Sequence, residues 1–162
     1  MRAGRGAARR VTLALAVLLG GAALALPKYR LQAAPQLHLT GGSDLWQLDR
    51  RVMSCAYCHE QETGGGSWNP FGQAIQATFR REAEAGRAVK FPQALSVLLE
   101  SNGDADADGY ADALEVFART LPGDPASQPE RPAADLQAEF DAAGGAAQFA
   151  PPTPGQKGAG TK

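Results

Sequence analysis

Apolar residues in this chain recur at helical spacing in four places, each bounded by its own start or stop signal. Leu45, Leu48 and Val52, with Trp46 to one side, predict a short helix over residues 44–53 that runs into Cys55 and takes Ser43 or Asp44 as its cap. Asn69-Pro70 is a cap and first-turn pair, and Phe71, Ile75 and Phe79 repeat every four residues, which predicts a helix over about 70–86. A third helix starts at Pro92 and carries Leu95, Val97, Leu98 and Leu99. The fourth, Ala113 to Thr120, carries Leu114, Val116 and Phe117 and is stopped by Leu121-Pro122-Gly123. The fold expected is mainly α: a small, irregular helical domain over residues 43–125, flanked by disordered tails.

The two ends follow other patterns. Arg2, Arg5, Arg9 and Arg10 precede an uncharged run from Val11 to Leu26, the layout of an export signal over residues 1–25 with Ala23-Leu24-Ala25 as the cleavage site, or else of an uncleaved N-terminal anchor. Either way the rest of the chain is expected outside the cytoplasm: periplasmic, secreted or in the cell envelope. Residues 26–42 show no periodicity and are read as a tether. From 126 to 162, Pro, Ala, Gly and Gln dominate, and a disordered tail is expected, with one short amphipathic piece at Leu136 to Phe140.

A length of 162 residues fits one domain, and 7% aromatics with 19 Gly and 11 Pro fit a modest core. A core of that size calls for a covalent or metal staple. Nothing in the formal charge of −1 suggests a nucleic-acid binder with a basic face, and no nucleic-acid partner is expected. Removing the leader arginines leaves 12 basic residues against 17 acidic, and five of the acids fall between 104 and 115. With two histidines in the chain, no hydrolytic constellation is visible, so a carrier or binding module is favoured over an enzyme.

The first candidate staple is Cys55-Ala56-Tyr57-Cys58-His59, which holds the only two cysteines. This spacing attaches c-type haem in exported chains: two thiols form thioethers with the haem vinyl groups, and the adjacent imidazole of His59 becomes the proximal iron ligand. Two other readings of the pair stay open, a Cys55–Cys58 disulfide and a metal site. The sixth iron ligand would be His38, Met53 or none, since no Met or His follows His59. Trp68, Phe71 and Tyr57 are the candidate haem-contacting groups.

The second is the run from Asp104 to Glu115. It places Asp104, Asp106 and Asp108 at positions 1, 3 and 5, Gly109 at 6, Asp112 at 9 and Glu115 at 12 of a twelve-residue calcium loop. Alternate carboxylates in a tight turn surround a hard dication with oxygens. Tyr110 would add its backbone carbonyl, Asp112 would bind directly or through water, and Glu115 would bind with both oxygens. Ala111 stands where a bulky aliphatic would pair with a second loop, so one unpaired site is expected.

Cys55 to His59, then Gly64-Gly65-Gly66-Ser67-Trp68-Asn69-Pro70-Phe71-Gly72, then Asp104 to Glu115 with Gly123-Asp124-Pro125, together resemble temptin-type Cys/Cys domains followed by a calcium loop of the dockerin and thrombospondin type 3 kind. The resemblance implies a secreted module in which the glycine loop and Asn69 to Gly72 wrap near the cysteines, the cysteines form a disulfide, and the role is association with other proteins. The similarity to c-type cytochromes rests on Cys55 to His59 alone. The expectation drawn from all of this is an exported monohaem c-type cytochrome-like protein, with haem c and one structural Ca2+, passing single electrons to an exported or membrane-bound redox protein. The alternative is a calcium-stapled extracellular interaction module with a Cys55–Cys58 disulfide and no haem.

Overall fold

A computed structural model describes residues 27–41, 45–47 and 52–152. The export signal and the last ten residues lie outside the described residues. The described chain is mainly helical, as expected, and among its residues no helix is long and apolar enough to cross a membrane.

The three central helices follow the apolar periodicity. Helix α2 (Pro70–Glu84) begins with Asn69 as its cap, whose side chain accepts the Gly72 N–H at 2.8 Å, and buries Phe71, Ile75, Thr78 and Glu82 along one stripe. Helix α3 (Phe91–Glu100) turns Phe91, Ala94, Leu95, Leu98 and Leu99 inward against α2. Helix α4 (Asp112–Ala118) ends on Arg119, which takes the left-handed conformation at φ 66°. Between α3 and α4 runs the acidic loop, so the expected helix–loop–helix is present.

The structure departs from expectation at three other segments. The helix expected over 44–53 is instead a small hairpin, β1 (Trp46–Gln47) against β2 (Val52–Met53), antiparallel with Trp46 opposite Met53. Val52 and Met53 are successive yet both buried, because β2 is also covered by α1 (Pro27–Gln36), whose Arg30 donates from Nε to the Met53 carbonyl. That helix occupies most of the segment read as a tether. Its Pro27 is tolerated at a helix start, and although Pro35 removes one backbone bond, Ala33, Ala34, Leu37 and Leu39 are all buried.

Nor is the chain beyond 126 wholly a loose tail. Helix α5 (Ala133–Ala142) and a 3-10 turn (Gly145–Phe149) bury Leu136, Phe140 and Phe149. Phe140 lies between Phe117 and Phe149, with ring centroids 5.6 and 6.3 Å away. The buried Gln36 amide ties this end to the start of the described chain, donating to the carbonyls of Pro92 and Phe149 at 2.9 Å each. A low average hydropathy concealed these few large apolar residues, which the core between α1 and α3 takes in.

Candidate functional site

Two features carry the candidate chemistry: the acidic loop that leads into α4 and the thiol turn that precedes α2. In the loop, carboxylate oxygens of Asp104, Asp106 and Asp108 lie within 4.8 Å of one another. Backbone N–H groups shape the turn. Gly109 N–H donates to Asp104 at 3.0 Å, Tyr110 N–H to Asp108 at 2.8 Å, and Asp108 N–H to Asp106 at 3.3 Å. Gly109 sits at φ +99°, where a side chain would be strained, and Ala107 is held at φ +61°.

Asp112 and Glu115 enter from α4. The Asp112 Oδ1 accepts the Ala105 N–H at 2.9 Å, while its own N–H donates to the Gly103 carbonyl at 2.7 Å, which closes the loop. Glu115 is 0% exposed, and neither of its carboxylate oxygens has a hydrogen-bond partner; Asp106 and Asp108 each keep one buried oxygen in the same state. Burial, reinforced by Asp106, Asp108, Asp112 and Asp104, pushes the Glu115 carboxyl up to about 9. Burial and the three loop aspartates push Asp112 up to about 7, against the opposing bond from Ala105. Burial and Asp108 also raise Asp106. Such a cluster is stabilised by a hard dication and strained without one. The sixth expected ligand, Tyr110, sends its hydroxyl to the Arg131 carbonyl at 3.0 Å, and its backbone carbonyl carries the expectation.

The thiol turn is a 3-10 turn, Cys55–Tyr57, capped by Ser54, whose hydroxyl accepts the Ala56 N–H at 3.3 Å. Both cysteines are free, Cys55 buried and Cys58 half-buried. Burial and the neighbouring Cys55 push the Cys58 thiol up to about 12, against a smaller lowering by Arg30. The chain from Gly64 to Asn69 folds back over the turn. His59 and Trp68 form an antiparallel bridge, Glu60 N–H donates to Ser67 at 3.2 Å, and Asn69 N–H donates to Cys58 at 3.2 Å. Gly72 lies so close that a Cβ there would sit 2.1 Å from the Cys58 carbonyl oxygen. Asn69, besides capping α2, donates from Nδ2 to the Ala56 carbonyl at 2.9 Å, and Gly123 lies against its amide, where a Cβ would be 2.7 Å from the Asn69 Cγ.

The surroundings of Cys55, Cys58 and His59 fit a haem poorly. The imidazole of His59 is stacked on Trp68, centroids 4.2 Å apart and planes 28° apart. A metal-ligating histidine donates its second ring N–H to a carbonyl or carboxylate, yet the His59 Nδ1 is buried and meets no partner. Tyr57 and Phe71, both 0% exposed and edge to face at 5.7 Å, fill the space beneath the turn. Met53 is 3% exposed in β2, and His38 rests on Phe149 at 5.7 Å, so neither is given to His59 as a companion ligand. A metal shared by the thiols and His59 fares no better. Among the described residues the converging group of three His, Cys, Asp or Glu side chains is the aspartate trio.

Sequence reasoning missed the position of Tyr57. Its phenol is raised well above the usual range by burial first, then by Cys58, Glu115 and Asp112. Its hydroxyl has no partner. No local pattern could have announced that residue 57 lies within electrostatic reach of residue 115. Comparison with protein-family models, with curated proteins and with solved structures finds no match to this chain.

Proposed function

We propose that this chain is a calcium-binding module that works outside the cytoplasm by associating with other proteins, with Cys55 and Cys58 as its disulfide-forming pair. The observation that carries this is Glu115: a carboxylate at 0% exposure with both oxygens unpartnered, beside three aspartates whose oxygens converge. A buried acid in that state is an unfinished site. Asp104, Asp106, Asp108, Asp112, Glu115 and the Tyr110 carbonyl would hold the ion, which supplies positive charge and joins the end of α3 to the start of α4. Full-length protein should melt higher as calcium is added, reversibly with a chelator. An unchanged melting temperature at 10 mM calcium would overturn the proposal.

The spacing of Cys55, Cys58 and His59 supports a second reading, an electron carrier with covalent haem c. Expression with a cytochrome c maturation system decides between them. The first reading expects a colourless product of unmodified mass, and a haem absorbance that survives denaturation would replace it with the second.

A further inference from the structure

Two paths lead from the cation loop to the thiol turn. Tyr57 stands between the cysteines in sequence, is wholly buried, and has an unpartnered hydroxyl within the electrostatic reach of Glu115, whose two buried oxygens are also without partners, and of Asp112. The second path leaves the far end of α4. Gly123 rests on the Asn69 amide, and that amide holds the Ala56 carbonyl at 2.9 Å, again between the two cysteines. The turn that carries the thiols is therefore held through Asn69 by the segment that leaves the helix carrying Asp112 and Glu115, and it places a buried phenol within electrostatic reach of that helix.

We infer that Cys55 and Cys58 form a thiol–disulfide couple linked to the cation loop: closing the disulfide tightens calcium binding, and bound calcium makes the disulfide harder to reduce. In the oxidising step the two thiols lose two protons and two electrons as the S–S bond forms. An external disulfide, such as oxidised glutathione or a disulfide of a partner protein, accepts them as its own S–S bond opens to two thiols. The closed disulfide restricts the Cys55–Cys58 turn, which holds Tyr57 and the Ala56 carbonyl in the positions that α4 needs when its carboxylates gather on the ion. Ordering done by one event is not required again by the other, which is positive coupling. Linkage makes it reciprocal.

The inference rests on the calcium reading above, and the experiment separates the two. Calcium affinity of the full chain is measured by calorimetry in fully reduced and fully oxidised protein. Separately, the thiol–disulfide equilibrium is measured in glutathione buffers with and without saturating calcium. The oxidised form should bind calcium about tenfold more tightly, within the range usual for coupled sites. The same factor should appear as a potential about 30 mV more negative with calcium. Tyr57→Phe keeps the ring against Phe71 and should reduce the coupling to less than about threefold. Calcium binding of equal strength in both redox states overturns the linkage while leaving the calcium site standing. Absence of calcium binding in both states overturns the site and the linkage with it. An undiminished tenfold effect in Tyr57→Phe overturns the part assigned to Tyr57.

Discussion

Replacing Glu115 with Gln changes one atom and tests the central claim in opposite directions with and without calcium. At neutral pH the calcium-free carboxyl, pushed up to about 9, keeps its proton, so the amide is close to isosteric with what it replaces. Stability of the calcium-free protein at pH 7 should rise, because the wild-type acid is ionised when unfolded and must take up a proton to fold, which the amide need not do. A raised folded-state pKa means that the stability it contributes is fully present below the unfolded value and is lost as pH rises through the folded one, by about 9 for Glu115 and by about 7 for Asp112. Calcium-free wild type should therefore melt lower at pH 9 than at pH 6, and Glu115→Gln should lessen that fall. With calcium the ordering reverses. An isolated extracellular loop with a Kd near 10⁻⁴ M gains about 2.7 kcal/mol at 10 mM calcium, or roughly 10 °C for a domain of this size. The variant lacks the ligand expected to bind with both oxygens and should gain less than about 1 kcal/mol. Thermal melts at pH 6, 7 and 9, each with calcium or with chelator, cover every case. A variant that keeps the full calcium shift, or that is weakened by more than about 2 kcal/mol at pH 7 without calcium, would refute the reasoning.

Other substitutions probe the frame around the site. Gly72→Ala puts a methyl 2.1 Å from the Cys58 carbonyl oxygen, a backbone atom that cannot swing aside, and should destabilise the protein by about 2–3 kcal/mol in a urea titration. Phe149→Ala should cost about 3–5 kcal/mol if the ordered end of the chain belongs to the core, and close to nothing if it does not. In reduced, calcium-free protein at pH 8, Cys58 should react with iodoacetamide on the order of 10³ times more slowly than in urea, because a thiol pushed up to about 12 is scarcely ionised there. Peptide mapping of the alkylated protein reads that rate for each cysteine.

What could be read beforehand was local. Helices α2, α3 and α4 carry their apolar stripes and their start or stop residues within the segments themselves, and the loop from Asp104 to Glu115 is a spacing rule that needs no tertiary information. The failures share one cause. Leu45, Leu48 and Val52 match a helical face, yet Ser54 N–H returns to the Leu45 carbonyl at 2.8 Å, and β2 is stabilised by α1, a partner remote in sequence. Helix α1 and residues 133–149 look weak when composition is averaged, because each supplies only a few large side chains. Those side chains are buried against each other's neighbours: Gln36 reaches Phe149 across the core. Asn69 was legible as a cap, but its second bond, to Ala56, joins segments whose proximity no periodicity encodes.

Helix α4 explains why a surface loop and a thiol pair should act together. At seven residues it spans about two turns, too short to be stable alone. Its first turn holds Asp112 and Glu115, both almost fully buried, and Leu114 and Val116 beside them belong to the hydrophobic core. The carboxyls gathered at the start of α4 therefore bear on the core itself, and on the calcium reading proposed above the ion would take the place of the proton that Glu115 otherwise holds there. At the other end, Thr120 N–H closes back on the Glu115 carbonyl at 2.9 Å, and the chain then passes to Gly123 and the Asn69 bracket. A change at either end displaces a helix with little internal stability of its own. Calcium loss should thus loosen α3, α4 and the thiol turn together, and a disulfide across that turn should oppose it.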